Sequence, residues 1–368
     1  MNRLIPRTKV VTCNYKNYKL PLLSFGAASF PTLESDKTYT DEKKAQEIIN
    51  YALKNGINYF DAGWQYHYGK SEETLAKALS SYSRDSYYLA DKLPIWLVKN
   101  ENDVEYYISE QLKRCNVDYF DFYLVHSINE KHFEKLKELN IYEKLLELKN
   151  RGIIKNLGFS FAGTPSLLEK VLDSYKWDFT MLQLNYIDWK YCSAKDLYSV
   201  ARNNDIPIMV MQPLRKGILA QNKKTTEFSL RFVASLEGVI TVVCGTKEIC
   251  HLKENVEVFK KQRPLSNNEL NVLNTEIEKI FLKTTKLCNG CSKCVEICPQ
   301  NIKIPGILLT VKQFLNLRDE YFYIDTYSSI DPKYRCEQCA NCQECIKVCD
   351  RGVNISLVMQ MIQKNNND

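Results

Sequence analysis

The segment Tyr119–His126 reads YFDFYLVH, a short run of aromatic and aliphatic residues that ends in a histidine. Such a run is typical of a buried strand. Seven further runs of this kind occur between residues 20 and 260. They are Leu20–Ala27, Tyr59–Ala62, Tyr87–Leu93, Asn156–Phe161, Phe179–Tyr186, Ile206–Pro213 and Val239–Gly245. Amphipathic helical stretches separate them, so eight βα units in about 240 residues predict an α/β chain folded as a (β/α)8 TIM barrel.

The helical stretches have recognisable ends. Asp41 and Glu42 lie in the first turn of one helix, which is expected to stop at Gly56. Thr164 and Pro165 have the order of an N-cap and a first helical residue. These signals support helices between the strands.

The alternative architecture is a doubly wound open sheet. Such a sheet normally carries a Gly-x-Gly-x-x-Gly turn after its first strand. Here that turn reads FGAAS over Phe25–Ser29, which favours the barrel. Residues 13–19 are predicted to form a small hairpin that closes the bottom of the barrel.

Nine of the fourteen cysteines follow residue 287, and eight of them form two copies of the spacing C-x2-C-x2-C-x3-C. The copies span Cys288–Cys298 and Cys339–Cys349. Cysteines at this spacing are typical ligands of [4Fe–4S] clusters, and the fourth cysteine of each run usually binds the other cluster. The pattern therefore predicts two clusters. One set is Cys288, Cys291, Cys294 and Cys349, and the other is Cys298, Cys339, Cys342 and Cys345.

Zinc and disulfides are the competing interpretations of these cysteines. Structural zinc prefers separated Cys-x-x-Cys pairs, and disulfides need an oxidising compartment. Cys336 precedes the second copy and is either a ligand in place of Cys339 or a spare thiol. The remaining cysteines have no ligand spacing and are interpreted as ordinary thiols. They are Cys13, Cys115, Cys192, Cys244 and Cys250.

Composition and charge indicate which cellular compartment and which partners to expect. The segment Met1–Pro6 has no apolar core or cleavage site of a signal peptide, and no 18-residue apolar stretch occurs in the chain. We therefore expect a cytoplasmic protein with no membrane partner. The net charge of +6 comes from interspersed acidic and basic residues, and basic runs such as Lys223-Lys224 are short. This pattern does not indicate a nucleic-acid partner.

A domain boundary is expected near Arg263-Pro264, with the barrel over residues 1–262 and a smaller domain over 263–368. The 40 residues between Cys298 and Cys339 are too many for a compact ferredoxin repeat. They include Ile307–Leu317, which is a helix candidate, as is Ser266–Phe281. The second domain is therefore predicted to be small, mostly helical and ferredoxin-like. Its core would be thin, so the clusters should be needed for it to fold.

Several polar residues stand at predicted strand ends, where a barrel builds its active site. Asp61 ends the second strand, Lys92 the third and His126 the fourth, and Tyr66 follows Asp61 closely. A lysine ammonium beside a tyrosine stabilises the phenolate, an aspartate can orient the lysine, and a histidine can position a carbonyl. The plainer alternative is that Asp61 and Lys92 form a buried ion pair that only joins two strands.

The segment from Asn58 through Asp61 and Tyr66 to Gly69-x-Ser71-Glu72-Glu73 resembles the strand-two signature of the aldo/keto reductase family. The resemblance continues at Gly158-Phe159-Ser160, Gln183-x-Asn185-Tyr186, Pro213-Leu214-x-x-Gly217 and Gly245-Thr246-x4-His251-Leu252-x-Glu254-Asn255. It implies a catalytic tetrad of Asp61, Tyr66, Lys92 and His126. Tyr66, not Tyr68, falls in the family's register as the proton donor. Over its full length the chain resembles a branch that carries a C-terminal two-cluster ferredoxin module.

The resemblance also implies a nicotinamide cofactor, NADP(H) or NAD(H), and a small-molecule carbonyl substrate. Gln183 and Asn185 would hold the carboxamide, and Tyr186 would stack on the ring. The loop that contains Leu214 and Gly217 would cover the pyrophosphate. The residues expected near the adenosine are Gly245, Thr246, Lys247, His251, Glu254 and Asn255.

Three functions remain open at this point. In the first, the barrel reduces a carbonyl with NAD(P)H and the clusters are structural or sense redox state. In the second, a ferredoxin-type carrier feeds single electrons through the clusters to the barrel site. In the third, the protein is a non-enzymatic electron-transfer or redox-sensing subunit.

Overall fold

Eight parallel strands close into a barrel in the computed structural model, which describes residues 9–285, 288–317 and 319–366. The barrel strands are β3 (Leu23–Gly26), β4 (Tyr59–Asp61), β5 (Tyr88–Leu93), β6 (Phe120–Ile128), β7 (Ile154–Phe161), β8 (Phe179–Gln183), β9 (Ile208–Met211) and β10 (Val239–Cys244). Each strand pairs with the next, and β10 pairs with β3 to close the ring. The predicted (β/α)8 barrel is confirmed.

The first two strands, β1 (Thr12–Tyr15) and β2 (Tyr18–Pro21), form a separate antiparallel hairpin. Tyr15 packs against Phe122 inside the barrel, with ring centroids 6.1 Å apart. Leu20 is fully buried among the same interior residues. The hairpin therefore seals the barrel with apolar side chains, as its position in the sequence predicts.

Ten helices accompany the barrel strands. They are α1 (Glu42–Lys54), α2 (Ser71–Leu79), α3 (Glu101–Cys115), α4 (Glu130–Glu138), α5 (Ile141–Asn150), α6 (Pro165–Ser174), α7 (Tyr186–Tyr191), α8 (Ala194–Asn203), α9 (Lys223–Ala234) and α10 (Ile249–Lys260). Asp41 caps α1 by accepting a hydrogen bond from the Lys44 amide at 3.0 Å, and Thr164 caps α6. Gly56 follows α1 with a φ of +84°, a conformation that suits glycine.

Most observed strand limits differ from the predicted ones by one to three residues. Leu20 belongs to the hairpin, and the predicted strand through Tyr186 ends at Gln183. The second difference arises because Asn185 caps α7 by accepting a hydrogen bond from the Asp188 amide. The strand predicted to begin at Ile206 begins after Pro207, which has no amide hydrogen to donate to a neighbouring strand.

The segment beyond Gln262 contains helices and connecting loops, with no strand in its described part. Its helices are α11 (Asn267–Thr285), α12 (Lys293–Glu296), α13 (Ile304–Leu317), α14 (Glu320–Ser328), α15 (Glu344–Lys347) and α16 (Ile355–Asn366). The two predicted helices correspond to α11 and α13. None of the described helices is long and apolar enough to cross a membrane. Met1–Pro6, on which the expected compartment rests, lies outside the described residues.

Two buried arginines tie this helical segment to the barrel. Arg215, in the loop after β9, pairs with Asp188 at 2.7 Å and donates to Thr310 of α13 at 2.8 Å. Arg231 of α9 pairs with Glu269 of α11 at 2.9 Å. Both guanidinium groups are almost fully buried, so each needs these partners to offset its desolvation. The helical segment is therefore fixed against the barrel by ion pairs as well as apolar contacts.

Candidate active site

Asp61 and Lys92 stand at the carboxyl ends of β4 and β5, where neighbouring parallel strands bring their side chains together. Lys92 Nζ lies 2.5 Å from Asp61 Oδ1 and also donates to the Ala62 carbonyl at 2.5 Å. Both side chains are buried. Within the described residues Asp61 Oδ2 has no hydrogen-bond partner. The ion pair thus holds the ammonium at a defined point at the mouth of the barrel.

Tyr66 follows β4 in a tight turn and faces this ion pair. Its ring centroid lies 4.9 Å from Lys92 Nζ, and its ring meets that of His126 edge-on at 5.9 Å. A Cβ on Gly63 would approach the Tyr66 ring to 2.8 Å, so the glycine makes room for the tyrosine. Tyr68 is 80 % exposed. The structure therefore brings Asp61, Tyr66, Lys92 and His126 together and leaves Tyr68 outside the group.

Burial and neighbouring charges set the protonation of these groups. Burial raises the pKa of Tyr66, although Lys92 acts in the opposite direction. Burial also lowers the pKa of His126 well below its usual value, and the Lys92 charge adds to this effect. Burial lowers the pKa of Lys92, but the ion pair with Asp61, together with Tyr66 and Asp91, outweighs burial and the net pKa is raised. At neutral pH the site therefore holds a protonated tyrosine, a neutral histidine and a charged lysine.

The His126 ring is positioned by a bulge in β6. The pairing of β6 with β7 shifts register between Val125 and Ile128, and Ser127 has a φ of +59°. The Ser127 amide donates to Ser160 Oγ at 2.7 Å, and the Trp96 ring lies 5.2 Å from the His126 ring. The sequence around Ser127 has no pattern that predicts this bulge. Such bulges commonly redirect side chains beside active sites.

The three residues expected at the nicotinamide are placed differently from one another. Gln183 reaches the mouth, but its Nε2 already donates to Asp188 at 2.8 Å and to Thr326 at 3.1 Å. Asn185 is fully buried and donates to Asp188 at 2.6 Å. Tyr186 packs edge-on against Phe232 and donates its hydroxyl to Asn274 at 3.0 Å. Gln183 is thus the member of this group that the structure brings to the candidate site.

The residues expected at the pyrophosphate lie in the loop after β9. Leu214 is partly buried and packs on the barrel core. Gly217 has a φ of +85°, and a Cβ there would meet no atom within 4 Å. The loop is therefore anchored at Leu214 and open at Gly217.

The residues expected at the adenosine follow β10. Lys247 and His251 are exposed, whereas Thr246 is buried and donates to the Glu248 carbonyl at 2.9 Å. Glu254 pairs with Lys223 at 3.5 Å. These four expected residues include two exposed basic side chains, Lys247 and His251, near the end of the eighth barrel strand.

Two more residues of that group have packing contacts. Asn255 is buried and donates to Cys244 Sγ at 3.4 Å. A Cβ on Gly245 would lie 2.6 Å from Ser29 Oγ and 2.9 Å from the Gly26 carbonyl. Asn255 therefore joins α10 to the end of β10, and Gly245 lets that end lie close to the end of β3.

The predicted cysteine sets line two separate cavities. A cavity of about 390 Å³ is bordered by Cys288, Cys291, Cys294 and Cys349. A smaller cavity, of about 20 Å³, is bordered by Cys298, Cys339, Cys342 and Cys345. Burial raises the pKa of the Cys294 thiol, and the nearby thiols of Cys288 and Cys291 raise it further. The fourth cysteine of each copy thus faces the cavity of the other copy.

All fourteen cysteines lie in the described part of the chain and carry free thiols. Across residues 9–285, 288–317 and 319–366, no three His, Cys, Asp or Glu side chains are grouped closely enough to hold one metal ion. Cys336 is buried and contacts the Tyr327 hydroxyl at 2.8 Å, away from both cavities.

Comparisons with known proteins identify the family and the fold of the barrel. The model of the aldo/keto reductase family matches residues 22–228. An uncharacterised oxidoreductase of Bacillus subtilis is 22% identical over 289 residues, which cover 66% of this chain and 91% of that protein. A D-galacturonate reductase of Fragaria ananassa is 23% identical over 69% of this chain and 86% of its own length.

A solved structure of an aldo-keto reductase from Bacillus halodurans, in its holo form, superposes with a TM-score of 0.60 at 22% identity. The match covers 73% of this chain and 95% of that one. It shows the barrel fold. Because the family model covers more than half of the chain, this protein belongs to the aldo/keto reductase family and is an oxidoreductase of that type.

Proposed function

We propose that this enzyme reduces an aldehyde or ketone with NAD(P)H and that Tyr66 is the proton donor. The observation that carries the proposal is the arrangement of Tyr66 between Lys92 and His126 at the barrel mouth. Because the chain is an oxidoreductase, the non-enzymatic alternative is set aside.

Four residues have separate roles in protonating the carbonyl oxygen. Tyr66 gives its proton to the oxygen, and the Lys92 ammonium stabilises the phenolate that remains. Asp61 holds Lys92 in place through the 2.5 Å ion pair. Neutral His126 can orient the carbonyl by a hydrogen bond. The buried nitrogen His126 Nδ1 has no partner among the described residues, as expected of a group that awaits a ligand.

A bound nicotinamide supplies the hydride that reaches the carbonyl carbon. Gln183 would hold its carboxamide through Oε1, since both of its amide hydrogens are already donated. Lys247 and His251 would receive a 2′-phosphate, which is the reason to favour NADP(H) over NAD(H). Gly217 would allow a close approach of the pyrophosphate to the backbone.

Nucleotide binding is the most direct test. Anaerobically purified, cluster-replete protein should bind NADPH, and bind NADH more weakly, when each is titrated by calorimetry. A Lys247→Ala variant should lose about tenfold in NADPH affinity and little in NADH affinity, because only NADPH carries the 2′-phosphate. Lys253→Ala, an exposed lysine on α10, is the control. Failure to bind either nucleotide would contradict the proposal.

The pKa shifts predict a broad pH profile for carbonyl reduction. The raised pKa of Tyr66 keeps the proton donor loaded through the alkaline range, up to at least about pH 10. The lowered pKa of His126 keeps that ring neutral down to below about pH 6.5. A plot of log kcat/KM against pH should therefore be level between these limits. A decline centred between about pH 7 and pH 9 would contradict this assignment of the acid.

We also infer that the two cysteine sets hold [4Fe–4S] clusters. A single ion with bonds of about 2.3 Å would draw its thiolates to within about 4 Å of one another. A cluster instead takes each thiolate on a different iron, so its cysteines surround a space. Four cysteines around a cavity of about 390 Å³ fit the second arrangement. The other set borders a cavity of only about 20 Å³, and its assignment rests on the identical cysteine spacing. The free thiols suit a reducing, cytoplasmic setting.

One observation favours a second candidate function, in which electrons from a ferredoxin-type carrier pass through the clusters to the barrel. Helix α7 begins three residues after Gln183 and ends at Tyr191, whose hydroxyl would lie 3.0 Å from a Cβ on Gly290. Gly290 lies between Cys288 and Cys291 in the sequence, so it borders the first cysteine set. Six helical residues span about 9 Å. The larger cysteine cavity is therefore one short helix away from the mouth.

A further inference from the structure

Helix α14 lies across part of the barrel mouth. Three hydrogen bonds join it to three neighbouring barrel strands at or just beyond their carboxyl ends. They are Ser127 Oγ to Asp325 Oδ1 at 3.5 Å, Gln183 Nε2 to Thr326 Oγ1 at 3.1 Å, and Ser328 Oγ to the Ala162 carbonyl at 3.4 Å. These contacts involve β6, β8 and the residue after β7. The C-terminal helices thus contribute a wall to the site that the barrel strands begin.

The position of α14 is also held from the loop after β9. Lys216 pairs with Asp319, immediately before α14, at 3.0 Å. The preceding residue, Arg215, donates to Thr310 on α13 at 2.8 Å. Two neighbouring cations in the loop after β9 therefore hold α13 and the start of α14 in place.

Asp325 is the acidic side chain that α14 brings to the mouth. It contacts Ser127, which directly follows His126. This hydrogen bond is long, at 3.5 Å, so it compensates the carboxylate weakly. The Lys216 charge acts on Asp325, but that ammonium is already paired with Asp319. Burial raises the pKa of Asp325 to about 6, which still leaves it mainly ionised at pH 8.

We propose that Asp325 is a specificity-determining residue of the substrate site. Its charge makes the site favour neutral or cationic carbonyl compounds over anionic ones. The inference rests on the proposed reduction of a carbonyl at Tyr66. A negative charge held against Ser127, the residue after His126, repels a carboxylate on a substrate whose carbonyl lies between Tyr66 and His126. A hydroxyl or ammonium group at the same point can instead donate a hydrogen bond to Asp325.

Two benzaldehydes of nearly equal shape provide the test. 4-Carboxybenzaldehyde is anionic at pH 8, and 4-formylbenzamide is neutral. Binding of each to the full-length, cluster-replete protein is measured by calorimetry in the wild type, Asp325→Asn and Asp331→Asn. We expect the wild type and Asp331→Asn to prefer the amide by about tenfold, and Asp325→Asn to lose that preference. Asp331 is a suitable charge-matched control because it caps the turn after α14 and pairs with Lys333.

Turnover of both aldehydes with NADPH is measured separately. A charge preference that disappears in Asp325→Asn supports the inference even if neither aldehyde is reduced. Lack of turnover would count against the proposed function alone. Equal affinities in the wild type would overturn the inference, as would an equal loss of both ligands in Asp325→Asn. Absence of binding by both compounds would overturn it too.

Discussion

Replacement of Tyr66 by phenylalanine is expected to lower kcat/KM for carbonyl reduction about a thousandfold. The variant keeps the ring that packs beside Lys92 and His126 and removes only the hydroxyl that carries the proton. Hydride delivery would then leave an alkoxide without an acid to protonate it. Initial rates with NADPH and an aldehyde that the wild type reduces measure the effect.

The matched control is Tyr68→Phe, which makes the same chemical change two residues away. Tyr68 is 80 % exposed, so its loss should leave kcat/KM within about twofold of the wild type. Iron content, nucleotide affinity and the unfolding temperature should be unchanged in both variants. Comparable activity in Tyr66→Phe and Tyr68→Phe would refute the role of Tyr66.

Replacement of Cys291 by alanine is expected to remove half of the bound iron, about four atoms of eight. Cys291 is exposed, so the substitution creates no cavity, and the loss would report on its role as a ligand. The helical segment should also unfold at a lower temperature, because cluster binding would contribute to its folding free energy. Iron analysis and visible absorbance of anaerobic protein measure the first effect, and thermal unfolding measures the second.

Cys250→Ala is the control, because Cys250 is also exposed and belongs to neither cysteine set. It should keep full iron content. If Cys291→Ala retains all its iron, the assignment of the first cluster is wrong. If the iron is lost, activity measurements separate the two candidate functions. Carbonyl reduction with NADPH should survive in Cys291→Ala, whereas reduction driven by a one-electron carrier should be abolished.

The predictions that proved accurate rest on patterns among residues close together in the sequence. The apolar runs located the barrel strands, and the capping residues Asp41 and Thr164 marked helix starts, because these signals act between residues close in sequence. The strand-end positions of Asp61 and Lys92 likewise predicted their proximity, since parallel strands end at one rim.

Features that depend on distant contacts were not predictable in this way. The bulge at Ser127 arises from its pairing across to Ser160, and nothing in the residues beside it indicates a left-handed conformation. The placement of Asp325 at the mouth needs the helical segment to fold back over the barrel. The cysteine spacing predicts two sets of ligands, but it gives no sign that their segment borders the candidate site.

Arg215 has a consequence for how this protein can be divided. A fragment that ended at Gln262 would keep Asp188 but lose Thr310 and Gln313, both of which accept hydrogen bonds from the same guanidinium. A charge that is now fully enclosed would face solvent on one side, together with the apolar surface around it. The barrel in this chain is therefore not a minimal enzyme to which C-terminal helices have merely been appended. Recombination or truncation at the junction would have to rebuild the interface before it could yield a working catalyst.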